Sequence, residues 1–123
     1  MTNFEYQPNL VGPNAFIRAI SESDFDGLYQ CASNPLVWAG HPAKDRYRKD
    51  VFTDWFEAAL SARALVIARR DDRRIMGSSR YYQVETAPTD ISIGYTFLGI
   101  EYWGGRVNRE IKELMIAHAF RSY

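Results

Sequence analysis

Residues 90–123 read DISIGYTFLGIEYWGGRVNREIKELMIAHAFRSY, and this stretch decides the fold. Ile91, Ile93, Tyr95 and Phe97 alternate along a strand and share one face of it. Gly104 and Gly105 follow, where the backbone can turn tightly and approach a ligand. From about Asn108, the residues Ile111, Leu114, Met115 and His118 recur at the spacing of a buried helix face. A strand that feeds a glycine turn into a helix N-terminus is a physical anion site. The first-turn N–H groups lack intrahelical partners, and the helix dipole adds partial positive charge. Arg106 and Arg109 add full charges there. A plain strand–turn–helix connection with no ligand has the same pattern.

Working outward, the chain of 123 residues is sized for one domain with a single core. It carries 15 Lys plus Arg and 15 Asp plus Glu, so its formal net charge is zero. That balance gives no general attraction to nucleic acid or to a membrane surface. Aromatic residues make up 15% of the chain, which favours a packed domain over disorder. Cys31 is the single cysteine, so no intrachain disulfide exists and a cytoplasmic setting is expected. It is expected to be a buried structural thiol. The N-terminal MTNFEYQPNL has no apolar signal core, and no run is long enough to span a bilayer.

Leu10-Val11 and Ala15 to Ile20 read as short strands around a Gly12-Pro13-Asn14 turn. Ser21 is placed to cap a helix that carries Phe25, Leu28, Tyr29 and Ala32 on one stripe. Asn34-Pro35 ends it. Leu36 to Lys49 is irregular, and Asp50 then caps a second helix with Phe52, Trp55, Phe56, Ala59 and Leu60 on its buried face. Strands follow at Ala64 to Arg69 and Ile75 to Val84, with Gly77 allowing a neighbour to come close. Glu85 to Thr89 reads as a loop, and Asp90 to Leu98 as the last strand. The order β, α, α, β, β, β, α implies an α/β sandwich of the α+β kind, with a mixed or antiparallel sheet flanked by helices.

The runs Ile93-Gly94-Tyr95-Thr96-Phe97-Leu98, Tyr102-Trp103-Gly104-Gly105 and Asn108-Arg109-Glu110 resemble the acetyl-CoA-binding core of the GNAT acyltransferases. Within that family they most resemble the branch that includes the ribosomal-protein N-terminal acetyltransferases. Arg18, the Asn34 to Trp38 run and the Gly77 to Tyr82 run sit where this branch has comparable residues. The wider family's loop, Gln/Arg-x-x-Gly-x-Gly/Ala, is not strictly met, because the glycines here fall one or two places early. The resemblance covers nearly the whole of residues 1–123 as one domain. It implies a GNAT-like, mixed and mostly antiparallel sheet that lacks the family's C-terminal strands.

The resemblance implies an N-acetyltransferase that moves the acetyl group of acetyl-CoA to a primary amine, either a protein N-terminus or a small molecule. The cofactor-binding residues it implies are Phe97, Leu98, Trp103, Gly104, Gly105, Arg106, Val107 and Asn108. Many relatives carry a glutamate where this chain has Ser92, and serine is no general base at neutral pH without activation. Glu85, Asp90 and Glu101 match no catalytic motif and read as solvated loop carboxylates. His118 reads as a packed histidine, whereas His41, beside Pro42, could line an acceptor site. No Cys or His cluster has metal-ligand spacing. Ile116, Phe120 and Tyr123 form a second apolar stripe on the last helix. With an unpaired edge on the last strand, that stripe points to a homo-oligomer. The alternative function is a non-catalytic GNAT-like module that assembles with another chain and at most binds CoA.

Overall fold

The structure, a computed structural model, describes residues 4–84 and 87–122; for residues 84, 87–90 and 122 it describes the backbone alone. Five strands form one sheet in sequence order: β1 (Leu10–Val11), β2 (Ala15–Ala19), β3 (Leu65–Arg69), β4 (Ile75–Val84) and β5 (Ala87–Leu98). Every pairing among the described residues is antiparallel, so the antiparallel alternative is the observed one. The helices are α1 (Phe25–Ala32), α2 (Lys49–Ser61) and α3 (Val107–Ser122).

The sheet is buried on both faces, and β3 shows why. Leu65 and Ile67 join one core cluster while Val66 joins the other, as a period of two requires. On one face, Leu28 of α1 and Phe52, Phe56 and Ala59 of α2 pack with Trp38, Val66 and Phe97. On the other, Ile111 and Met115 of α3 pack with Ile17, Leu65, Ile67, Tyr81 and Leu98. Burying each large side chain contributes about 1.5–3 kcal/mol, so both faces hold their helices firmly. The helix stripe read from the sequence is the buried one: Ile111 and Met115 are fully buried and His118 nearly so. Tyr81 Oη donates to the Met115 carbonyl at 2.6 Å, and a His118 ring nitrogen sits 2.9 Å from the Glu5 carbonyl. Cys31 is buried too, its thiol donating to the Ile75 carbonyl at 3.3 Å. Burial pushes that thiol up to about 11, which keeps it protonated at neutral pH.

Several boundaries differ from expectation. A 3-10 turn over Glu22–Asp24 precedes α1, with Ser21 as its cap in a capping box with Asp24. Helix α2 is capped by Arg48, not Asp50, because Lys49 already has helical geometry and Asp50 falls in the first turn. Pro35–Trp38, read as irregular, forms a 3-10 turn in which the Asn34 side chain accepts from the Leu36 N–H at 2.9 Å. Of the loop expected over Glu85 to Thr89, Ala87 to Thr89 belong to β5 instead, with Ala87 paired to Val84, and Thr86 lies outside the described residues. Glu85 and Tyr123 themselves lie outside the described residues.

The largest correction concerns β5. Ser78 pairs with Phe97 and Arg80 pairs with Gly94, so Tyr95 and Thr96 together stand opposite Ser79. That is a β-bulge, with Tyr95 at φ +55°. The extra residue reverses the alternation. Ile91 and Ile93 pack toward α3, but Phe97 crosses to the α1/α2 face, where it lies 5.0 Å from the Trp38 ring and 5.3 Å from the Trp55 ring. Leu98 takes the α3 face instead.

Candidate functional site

The bulge is held by a chain of hydrogen bonds that ends on α3. Lys112 Nζ donates to Thr96 Oγ1 at 3.1 Å. Thr96 Oγ1 lies 2.8 Å from Ser79 Oγ, which donates to the Gly94 carbonyl at 3.4 Å. Ser79 is fully buried, and burial lowers the Lys112 ammonium below its ordinary value. Gly77 lets the strands meet beside the bulge: a Cβ built there collides with the Phe97 carbonyl oxygen.

Beyond the bulge the backbone of β5 turns a donor outward. The Gly99 N–H donates to the Met76 carbonyl at 2.9 Å, and Gly77 is the Cα partner of Leu98. In an antiparallel ladder this makes Gly77 and Leu98 a non-hydrogen-bonded pair, so the N–H and C=O of Leu98 point to the outer edge. The Leu98 carbonyl there accepts from Trp103 Nε1 at 3.0 Å. Phe97 belongs to the adjacent bonded pair, so its backbone faces β4.

A cleft of about 260 Å³ opens at this edge, lined by Val37, His41, Thr96, Phe97, Leu98, Tyr102, Trp103, Gly104 and Asn108. Five expected cofactor residues therefore come together: Phe97, Leu98, Trp103, Gly104 and Asn108. Gly104 has φ +74°, the left-handed conformation that only glycine adopts without strain. Gly105 and Val107 belong to the same turn without lining the cleft. Arg106 lines a separate groove with Arg109 and Glu110, and Arg109 pairs with Glu113 at 3.4 Å. The first bond within α3 runs from the Glu110 N–H to the Arg106 carbonyl at 2.9 Å. The N–H groups of Val107, Asn108 and Arg109 precede it and have no intrahelical partner. Burial, with the Glu101 carboxylate, raises the Tyr102 hydroxyl.

A second cleft, of about 270 Å³, is lined by Trp38, His41, Pro42, Ala43, Arg46, Tyr95 and Thr96. The two clefts share His41 and Thr96, so they meet at the bulge. Among the described residues, no carboxylate lines either one. Glu101 is exposed and reaches toward Arg74 at 3.7 Å, as a solvated carboxylate does. Ser92 pairs with Tyr82 on the strand, away from both linings. Nothing local marks Lys112, which sits beside the buried stripe of α3. The bulge, too, leaves the hydrophobic alternation of β5 intact on paper.

A strand with a bulge, an outward N–H, a glycine turn and a helix N-terminus form one continuous edge of the molecule. Residues 14–123 are matched by the family model described as the acetyltransferase (GNAT) domain. The chain belongs to the GNAT acetyltransferase family.

Solved structures agree on the fold. A GCN5-related N-acetyltransferase from Brucella melitensis superposes with a TM-score of 0.82 at 12% identity, over 98% of this GNAT chain and 57% of that one. A ribosomal-protein-alanine N-acetyltransferase from the same organism gives 0.56 at 17% identity, over 86% of this chain and 68% of that one. The PaiA N-acetyltransferase from Thermoplasma acidophilum, solved in complex with coenzyme A, gives 0.53 at 15% identity, over 87% and 73%. This chain thus spans little more than half of the first structure and about two thirds to three quarters of the others. No curated protein matches it. Among the described residues, no helix is long and apolar enough to cross a membrane.

Proposed function

We propose that this GNAT domain transfers an acetyl group from acetyl-CoA to a primary amine, on a protein N-terminus or a small molecule. The observation that carries the reading is the meeting of two clefts at His41 and Thr96. A two-substrate transfer needs two sites that share one boundary. The cleft bounded by Leu98, Trp103, Gly104 and Asn108 suits the cofactor. Its outward Leu98 N–H can hold an extended amide, and the N–H groups from Gly104 to Asn108 can hold a pyrophosphate. Phe97, Gly105, Arg106 and Val107 support that edge through backbone and turn. The fit is also steric, since a Cβ at Gly104 would meet nothing within 4 Å and the turn stays open. Acetyl-CoA, when bound, supplies the activated acyl carbon.

The protein's own task is then to orient the amine and take its proton. With no carboxylate in either lining among the described residues, His41 is the side chain there of the type that most often serves as a general base. It borders both clefts and accepts the ammonium proton at a ring nitrogen. Thr96, fixed by Lys112 and Ser79, keeps the bulge in place beneath the reacting groups.

Calorimetry with CoA tests the cofactor cleft, and thiol release from acetyl-CoA in the presence of an amine tests the transfer. Micromolar CoA binding is expected, and no heat with millimolar CoA would overturn the reading. CoA binding with no thiol release for any amine would favour the non-catalytic module.

A homo-oligomer is part of the same proposal. Phe120 is 82% exposed and Ile116 45% exposed on one side of α3, and β5 is the outer strand of the sheet. An apolar helix stripe and an open strand edge both favour a second copy. Sedimentation at micromolar concentration should give a dimer, and a monodisperse monomer would refute it. The single buried thiol suits a cytoplasmic setting.

A further inference from the structure

Arg80 is 93% buried, since only 7% of its surface is exposed, and its Nε has no hydrogen-bond partner. The ion pairs among the described residues join Arg18 to Asp24, Arg48 to Asp50, Arg69 to Asp72, Arg74 to Glu101 and Arg109 to Glu113. None includes Arg80 or Arg46. The Arg80 guanidinium lies 4.3 Å from the Tyr95 ring centroid and 5.9 Å from that of Trp55. Arg46 lies 5.5 Å from the Trp38 ring centroid. Tyr95, Trp38 and Arg46 all line the cleft that borders His41 and Thr96. Arg46 therefore stands at the Trp38 wall of this cleft and Arg80 lies behind its Tyr95 wall, and among the described residues no carboxylate lines the cleft.

Ring faces attract a cation, but they give its N–H groups no acceptor. A buried guanidinium is normally paired, because desolvating an unpaired charge is costly. Here burial and the nearby Arg46 both lower the Arg80 pKa, so the charge is held against a penalty. An anion in the cleft would remove it, and the planar fork of arginine matches carboxylate and phosphate oxygens.

We propose that Arg80 and Arg46 form an anion seat beside His41, and that the acceptor amine carries its own carboxylate or phosphate group to fill it. This rests on the acetyl-transfer reading for which end of the ligand reacts. The acid end lies at the arginines and the amine end at His41 and Thr96. Polyamines, whose second cation would meet two arginines, are disfavoured.

The test is calorimetry on the whole chain, with and without saturating CoA, using matched probes. Glycylglycine is compared with glycylglycine amide, which keeps the amine and loses the carboxylate. O-Phosphoethanolamine is compared with ethanolamine, which separates phosphate from carboxylate recognition. The acid member of at least one pair is expected to bind about tenfold more tightly. Arg80→Gln should abolish that preference and Arg46→Gln should reduce it several-fold. Arg46 is half-buried at the surface, so its variant carries the test if Arg80→Gln fails to fold. Equal binding within both pairs, or tighter binding of 1,4-diaminobutane than of either acid, overturns the seat. An unchanged preference in a folded Arg46→Gln variant also counts against it. CoA binding without any acid preference would leave acetyl transfer standing and remove this inference. Acid preference without CoA binding would keep the seat and remove the acetyl-transfer reading.

Discussion

Glu110 completes the first hairpin of the sheet: its Oε2 accepts from the Ala15 N–H at 2.7 Å. The Gly12 N–H donates to the Ala15 carbonyl at 2.8 Å, while the Gly12 carbonyl accepts instead from Arg70 Nη1 at 3.2 Å. The Glu110 carboxylate thus takes the donor that the hairpin leaves open. It also accepts from the Asn14 N–H and from Asn14 Nδ2, each at 3.0 Å. One side chain ties the first turn of α3 to residues some 95 positions earlier. A Cβ on Gly12 would lie 2.6 Å from Glu110 Oε2, so this glycine keeps the space clear.

Glu110→Ala is therefore expected to cost about 2–3 kcal/mol, as three hydrogen bonds to its carboxylate vanish and the part-buried Ala15 N–H goes unmet. Denaturant unfolding should show an earlier midpoint with an unchanged slope. CoA affinity should fall as well, because the start of α3 loses its anchor. A change below about 0.5 kcal/mol would mean that α3 is held by its apolar face alone.

The two glycines of the turn should separate fold from ligand. Gly104 has φ +74°, so any side chain there strains the backbone. Gly105 has no such constraint, and its nearest neighbour for a Cβ is the Tyr102 carbonyl at 3.9 Å. A Cβ at Gly105 thus leaves the turn uncrowded; what it can crowd is a ligand. Gly105→Val should leave the thermal midpoint nearly unchanged and weaken CoA binding about tenfold or more, whereas Gly104→Val should lower stability by about 1–2 kcal/mol. Unchanged CoA affinity in Gly105→Val would move the pyrophosphate elsewhere.

Helix faces and the succession of elements were legible because they depend on periodicity and turn residues, which the sequence displays directly. The stripe of Ile111, Leu114, Met115 and His118 is one case, and the doubly buried β3 another. Side-chain pairing at a distance was not legible. Nothing local marks Tyr95-Thr96 as a bulge, since the extra residue shows only against Ser79 on the neighbouring strand. Pro88 made Glu85 to Thr89 look like a loop, yet a proline is tolerated on an outer strand. The cofactor edge at Leu98, Trp103, Gly104 and Asn108 was found through family resemblance. Arg80 and Arg46 were not found, because a missing carboxylate is a property of the packed structure.

Asp24 sets an acid-sensitive point in the α1 region. Arg18 donates to both of its oxygens at 2.9 Å, and the Ser21 N–H donates to Oδ2 at 2.8 Å. Burial alone would raise this carboxyl, but the Arg18 and Ser21 bonds outweigh it and the net direction is down. The unfolded chain titrates near ~3.9, and the folded group titrates lower. The stabilisation is thus fully present above about pH 4 and is lost as pH falls through the lowered folded value. Asp24→Asn should cost about 2–3 kcal/mol at neutral pH and flatten the acid limb of the stability profile. Parallel acid limbs for the two proteins would show that another carboxylate governs the transition.

Lys112 gives a slope of the same sign, at the alkaline end. Its ammonium is half-buried against Thr96, and burial lowers its pKa. The unfolded chain titrates this group near ~10.4, so between the lowered folded value and that pH it binds more protons than the folded chain does. Stability from this site therefore rises as pH increases through the lowered folded value and levels off near the unfolded one. Cys31, Tyr81 and Tyr102 oppose the trend, because burial raises them and folding keeps them protonated. The comparison must be a difference between wild type and Lys112→Met, in which those three groups cancel. Met replaces the stem and removes the charge, so the Met variant should gain relative to wild type at pH 8 and lose that advantage by about pH 10.5. Thr96→Val leaves the ammonium without its acceptor and should cost about 1–2 kcal/mol at neutral pH. The double variant should then resemble Lys112→Met more than Thr96→Val, since no charge is left unpaired. Additive effects in that cycle would show that Lys112 and Thr96 do not act together at the bulge.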